Sequence, residues 1–330
     1  MRISFIGVGA VGGALAALCD RAGHTVTAVA RGATAARISA EGISLSGAFG
    51  EWTARVGVED APDADAELVV LAVRSFQLAD ALEQYRDAIG STPVLVVQNG
   101  LDGVGVAAAA LGRTSGVLGG IALFPATNAG TGQVVITGPG RMRIGALAPS
   151  DATLRDTVVA AFAAAMPTRS TSNLVGALWM KLLVNEVNAL PAITGMSVQQ
   201  TCRHPLLVPV LAASLVEGVR VADAAGIRFE SVGVLAPADA ARIRAGEAEA
   251  VVRGRLGRAF GTRPNPASTL QSIRRGQPTE IDALNDAIVR AAVARRVPTP
   301  VNAALVELVH AVERDRRFRS PATVRDRCLR

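Results

Sequence analysis

The chain has 330 residues, of which 50% are hydrophobic and 19% charged, with a net charge of +6. That length and apolar content suffice for two ordinary domains with their own cores. The arginines are scattered or fall in stretches such as Arg274-Arg275, Arg295-Arg296 and Arg314 to Arg319 without interleaved aromatics, so no nucleic-acid partner is expected, and a basic surface suited to anionic cofactors or acids is.

In chain order, Arg2 to Ile6 predicts a buried strand that runs straight into Gly7-Val8-Gly9-Ala10-Val11-Gly12 and a small-residue helix from Gly13 to Ala22. A GxGxxG that follows a strand and opens a helix predicts a dinucleotide site. Gly7 permits the tight turn, Gly9 with Ala10 and Val11 lets backbone N–H groups approach a pyrophosphate, and Gly12 lets the helix pack closely. The second strand, Thr25 to Ala30, ends in Arg31 where an acid would take the ribose hydroxyl of NAD. An arginine there favours a 2′-phosphate, so the expected cofactor is NADP(H).

Glu67 to Val73 reads as a fully buried parallel strand, followed by Arg74, Gln77 and a helix to about Ile89. Pro93 to Val97 is the next strand and ends in Gln98-Asn99-Gly100. Ligands of doubly wound sheets bind at the carboxyl ends of the strands, which makes Arg31, Arg74, Gln77 and Asn99 cofactor candidates. Leu118 to Phe124 predicts a further strand, Gly132 to Ile136 and Arg141 to Gly145 a hairpin-like pair, and polar Pro167 to Asn173 a domain boundary. The fold class is therefore α/β, with a dinucleotide-binding domain over 1–168 and an all-helical domain over 169–330.

In the second half the apolar period becomes helical, with helices near 174–190, 205–225, 235–250, 268–275, 280–295 and 301–317 and breaks at residues such as Pro191 and Gly226. Ser268 and Gln271 predict a capping box, and Glu280 a place in a helical first turn. Of the 34 Lys and Arg residues only Lys181 is a lysine, and it stands in the apolar run Trp179 to Asn188. A partly desolvated lysine can give up its proton near neutral pH where arginine cannot. In a helix, Asn185 at i+4 and Asn188 at i+7 share its face.

Cys19, Cys202 and Cys328 are odd in number and far apart, and His24, His204 and His310 lack ligand spacing, so neither a disulfide framework nor a metal site is expected. The strand-like start at Arg2 leaves no room for a signal peptide, and no apolar run reaches spanning length. The expected protein is cytoplasmic and has no membrane partner; its oligomeric state is open, with a homodimer among the options.

These residues together resemble the ketopantoate reductases (2-dehydropantoate 2-reductases), which reduce 2-dehydropantoate to pantoate with NADPH on the route to pantothenate and coenzyme A. The resemblance rests on Gly7/Gly9/Gly12, Arg31, Asn99-Gly100, Trp179/Lys181/Asn185, Ser268/Leu270/Gln271 and Thr279/Glu280/Ile281/Asp282/Asn285. It implies that Lys181 is the general acid, that Glu280 orients the substrate hydroxyl or the ammonium, that Asn99 lies near the nicotinamide, and that Asn185 and Ser268 hold a small 2-oxo acid. Three departures bear on substrate, one being that the Asn many relatives carry shortly after the Lys helix has no clear counterpart around Gly195 to Gln200. Ala189 stands where many relatives place a second Asn, with Asn188 one residue earlier, and Arg74 stands for their usual lysine.

Overall fold

The computed structural model describes residues 1–259 and 264–330. By its contacts the chain divides into one unit of Met1–Gln98 with Asp102–Leu174 and a second of Asn99–Leu101 with Val175–Arg330.

The first unit holds twelve strands among the described residues: β1 (Arg2–Ile6), β2 (Thr25–Val29), β3 (Ile43–Gly47), β4 (Trp52–Ala54), β5 (Gly57–Glu59), β6 (Leu68–Leu71), β7 (Val94–Val97), β8 (Val117–Leu123), β9 (Ala126–Gly130), β10 (Gln133–Ile136), β11 (Arg141–Ala146) and β12 (Thr168–Thr171). Eight form one sheet in the order β12-β11-β8-β7-β6-β1-β2-β5. All its pairings are parallel except β11 with β8. Continuous apolar runs make its centre: every residue of β6 and β7 is buried, as a sheet covered on both faces requires. The order reverses direction at β1, which pairs with β2 on one side and β6 on the other, and this is where a doubly wound sheet opens a crevice.

A second sheet, β4-β3-β10-β9, packs against the Ala10–Arg21 helix. Sequence reading expected β10 and β11 to pair as a hairpin. They do not: β10 runs parallel to β3 and antiparallel to β9, while β11 lies between β8 and β12. A local turn signal around Gly138-Pro139-Gly140 lost to non-local partners that bury Val134 and Ile136. The polar stretch expected as a boundary carries β12, and the division falls after it, at Leu174.

Among the described residues the second unit holds helices and turns and no strand. Its first helix, Leu174–Asn185, sends Trp179 and Leu182 into a cluster with Val221, Ala222, Ala287 and Ile288. The helix gives way at Glu186–Asn188 to a 3₁₀ turn, and an α-helix resumes over Ala189–Thr194. Pro191, expected as the break, sits instead in the first turn of that helix, where its missing N–H is one the helix would leave unpaired anyway. Further helices run over Val208–Ala224, Pro237–Arg244, Ala267–Arg274, Asn285–Val293, Pro300–Asp315 and Pro321–Cys328.

Candidate active site

In the first unit the glycine turn is built as its sequence demands. Gly7 has φ +96, and a Cβ there would stand 2.6 Å from the Val73 amide nitrogen. Only glycine allows that handedness and that approach of the β1 turn to the end of β6. A Cβ on Gly12 would collide with the Gly7 carbonyl oxygen, so Gly12 seats the helix on the turn. Around Gly9, by contrast, a Cβ would meet nothing within 4 Å. Gly9 is the N-cap of the Ala10–Arg21 helix, with no side-chain cap and no acidic residue in the first turn. Ala10, Val11 and Gly12 thus leave first-turn N–H groups for an anion.

Beside this turn is a cavity of about 330 Å³ lined by Val8, Gly9, Val29, Ala30, Arg31 and Thr34, and by Asn128, Thr131 and Gly132 at the β9–β10 turn. Arg31 is exposed and held on two sides. Its Nη2 donates to the Asp60 carbonyl at 3.2 Å, and its guanidinium lies 5.6 Å from the centre of the Tyr85 ring. Sequence reading found Arg31 but not the β9–β10 turn, whose strands are too short and too weakly alternating to announce themselves. Arg74 and Gln77 follow β6, where Gln77 Oε1 accepts from the Arg74 backbone at 3.3 Å and so closes its own turn. Gln98, absent from the sequence candidates, donates to the carbonyls of Val73 at 2.8 Å and Arg74 at 3.3 Å. It ties the carboxyl end of β7 to that of β6.

Asn99 packs with the second unit. Its Oδ1 accepts from Asn185 Nδ2 at 3.2 Å and its Nδ2 donates to Glu280 Oε2 at 3.4 Å, so three sequence candidates form one chain. Gly100 makes the approach possible, with φ +93 and a would-be Cβ only 2.5 Å from the Ala283 carbonyl oxygen. Lys181 lies one helical turn before Asn185 and is half-buried, with no hydrogen bond or ion pair among the described residues. Burial pushes its ammonium down to about 8, because an unpaired charge loses hydration without compensation.

Glu280 is buried and directly precedes a 3₁₀ turn, Ile281–Ala283, so it caps that turn and does not sit in a helical first turn as expected. Its segment is clamped from outside. Thr279 N donates to Glu313 Oε1 at 2.8 Å, and the His310 ring lies 2.7 Å from Glu313 and 2.9 Å from Asp282. The expected Ser268/Gln271 capping box is absent: the helix begins at Ala267 with Pro266 as N-cap, and Asn265 Oδ1 accepts from Ala267 N at 2.8 Å instead. Ser268 is therefore an exposed first-turn residue, outside the Asn185–Asn99–Glu280 chain. Asn188 is buried in the Glu186–Asn188 turn. Its i+7 relation to Lys181 presumed a continuous α-helix, which the 3₁₀ pitch interrupts.

Among the described residues no group of three or more His, Cys, Asp or Glu is arranged to hold a metal ion, and no helix is long and apolar enough to cross a membrane. Two family models match the chain: Ketopantoate reductase PanE/ApbA over residues 3–149 and Ketopantoate reductase PanE/ApbA C terminal over residues 173–313. The chain belongs to the ketopantoate reductase family. A 2-dehydropantoate 2-reductase of Pyrococcus horikoshii is 28% identical over 315 residues, 95% of this chain and 98% of its own. The crystal structure of a PanE/ApbA family ketopantoate reductase from Ralstonia eutropha superposes with a TM-score of 0.81 at 29% identity, covering 95% of this chain and 99% of the other. The fold is wider than one substrate: D-mandelate dehydrogenase, solved with NADH and anilino(oxo)acetate, shares it with a TM-score of 0.82 at 22% identity, covering 95% and 99%.

Proposed function

We propose that the protein is an NADPH-dependent reductase of a small 2-oxo acid, with 2-dehydropantoate as the substrate that its family membership favours. The observation that carries the reading is the half-buried, unpaired ammonium of Lys181 one turn from the Asn185–Asn99–Glu280 chain.

The first unit fits the dinucleotide. The open face of Gly9, the uncapped helix start and the adjoining cavity suit a pyrophosphate and ribose, and Arg31 on the cavity wall suits a 2′-phosphate. Arg74 adds positive charge after β6. When bound, NADPH supplies the hydride. The chain's own work is at the carbonyl. Negative charge that develops on the ketone oxygen is met by the Lys181 ammonium, which then delivers its proton to form the alcohol. A pKa near the working pH makes that donation favourable at neutral pH. Asn185 and Asn99, fixed by one another, offer amides that orient a carboxylate and hydroxyl. In this reading Glu280 orients the substrate hydroxyl or the lysine ammonium, and Ser268 and Asn188 complete the proposed substrate contacts.

A second reading, another 2-oxo acid, is favoured by Ala189, which removes an amide from the helix where many relatives carry one. NADPH oxidation measured with 2-dehydropantoate and a panel of 2-oxo acids tests both. The highest kcat/KM with 2-dehydropantoate supports the first, preference for an aryl or unbranched 2-oxo acid supports the second, and no turnover of any 2-oxo acid sinks both.

A further inference from the structure

Glu186 directly follows Asn185 and is completely buried, yet nothing in the reaction as described uses it. Its surroundings fix where hydrogens must be. Asn302 Nδ2 lies between two acceptors, Glu217 Oε2 at 2.8 Å and the Ser214 carbonyl at 3.2 Å, so its Oδ1 faces the other way. That Oδ1 accepts from Asn285 Nδ2 at 2.9 Å and lies 3.0 Å from Ser214 Oγ. Ser214 Oγ is also in short contact with Glu186 Oε2. A serine hydroxyl has one proton. If Glu186 were ionised, that proton could satisfy only one of the two acceptors and the other pair of oxygens would repel. Both contacts are hydrogen bonds only when Glu186 carries a proton on Oε2, donates it to Ser214 Oγ, and Ser214 donates in turn to Asn302 Oδ1.

The neighbouring carboxyl is arranged in the opposite sense. Among the described residues Glu217 accepts from Val301 N at 2.8 Å, Asn302 N at 2.9 Å and Asn302 Nδ2, at the start of the Pro300–Asp315 helix, where the dipole suits a carboxylate. Burial raises its pKa, and those donors and Arg220 oppose the rise. A negative Glu217 disfavours a second charge nearby, and two carboxyls in contrasting environments divide into one ionised and one neutral. Burial, with Glu217 adding to it and the Ser214 contact opposing, pushes Glu186 up to about 8. The other helices in contact with the Glu186–Asn188 turn add little charge: Ala189–Thr194 has no titratable residue and Ala267–Arg274 only the exposed Arg274. The remaining oxygen, Glu186 Oε1, has no partner among the described residues and abuts Gly218, where a Cβ would stand at 2.6 Å. An unpaired carbonyl of a neutral acid is tolerable there, and an unpaired carboxylate oxygen is far more costly.

We propose that Glu186 is a positioning residue that acts as a neutral carboxylic acid. Through Ser214 and Asn302 it locks the end of the lysine helix to the segment that carries Asn285 and, five residues earlier, Glu280. This buried bridge parallels the Asn185–Asn99–Glu280 chain: residues 185 and 186 reach residues 280 and 285 by two separate hydrogen-bonded routes. The kinetic part rests on the proposed reductase function, and the protonation state does not.

The test compares wild type with Glu186→Gln, Glu186→Ala and Ser214→Ala. Gln keeps a donor to Ser214 and cannot ionise. At pH 7 the infrared difference spectrum between wild type and Glu186→Gln should contain the carbonyl stretch of a protonated carboxyl group, and in Ser214→Ala that band should move to higher wavenumber. Absence of the band, or no movement, overturns the assignment. Because the folded pKa is raised, wild-type stability is lost as pH rises from the ordinary glutamate range through about 8. The melting temperature of Glu186→Gln relative to wild type should therefore climb by about 5 °C between pH 5 and pH 9, and a difference independent of pH overturns it. In turnover, Glu186→Ala should lower kcat/KM about tenfold and Glu186→Gln restore most of it; equal loss in both variants overturns the positioning role. Wild type that shows the band but reduces no 2-oxo acid refutes the proposed function and the kinetic role together, with the neutral carboxyl standing.

Discussion

Lys181 shows how one side chain is tuned by its lack of partners. Among the described residues nothing pairs it, so its hydration loss is uncompensated and its pKa falls to about 8. If it is the proton donor, reduction falls as pH rises through about 8, because the deprotonated amine has nothing to give. A pH profile of kcat with saturating NADPH checks this, and a rate still rising at pH 9 counts against it. Replacing Lys181 with Ala should lower kcat by roughly 10²-fold or more, while NADPH affinity, which the proposed function assigns to the glycine turn and Arg31 in the first unit, should stay within about twofold by fluorescence titration. At Arg31, Asp in its place should invert the preference from NADPH toward NADH through repulsion of the 2′-phosphate. Equal kcat/KM ratios before and after would remove Arg31 from the cofactor site. Both residues stood out as candidates because each was anomalous in its chain position: one lysine among arginines, and a base where an acid is common. Glu186 and Gln98 gave no such sign, since a lone polar residue in or after an apolar run says nothing about which distant group it meets.

At the scale of elements, the segment that carries Glu280 depends on a clamp made by another helix. His310 has a carboxylate at each ring nitrogen, Glu313 and Asp282, and a neutral imidazole has only one N–H to offer. Burial lowers its pKa, but the contacts with Glu313 and Asp282 outweigh it and the net shift is upward. The stabilisation is therefore full below the ordinary histidine pKa and is lost as pH rises through the raised folded value. His310→Gln should cost about 1 kcal/mol or less at pH 6, given a side chain 35% exposed and the screening this brings, and much less at pH 9. Urea melts at the two pH values measure it, and an equal cost at both would exclude the charged clamp. The central strands and most helices of this architecture were readable from apolar runs and 3.6-residue periodicity. What escaped was set by tertiary partners. β4 and β5 are three residues each, β10 left its apparent hairpin mate for β3 and β9, and Pro266 took the cap position that Ser268 appeared to claim in sequence.

Over the whole molecule, the distribution of small residues explains how so few aromatics suffice. With only 3% aromatic content, the core of the first unit is filled by Ala14, Leu15, Ala16, Ala17 and Leu18 of one helix against Phe5, Val70 and Leu95 of the sheet. Close approach of backbone elements replaces bulk, so added volume is poorly tolerated. Gly12→Val should prevent the Ala10–Arg21 helix from seating and leave little soluble protein, whereas Gly9→Ala, with open space at its Cβ, should fold normally and weaken NADPH binding alone. A thermal melt beside a cofactor titration separates the two, and loss of folding in Gly9→Ala would contradict the open turn. The solitary lysine also has a consequence for chemistry in the test tube. Besides the α-amino group of Met1, Lys181 offers the only amine in the chain, and its lowered pKa makes it nucleophilic under mild conditions. An amine-directed acylating reagent therefore has two targets, and the adduct on the internal peptide that carries Lys181, told apart by mass from that on the N-terminal peptide, is the probe. Slower labelling in the presence of a 2-oxo acid would turn that amine into a direct gauge of occupancy, with no need to follow turnover.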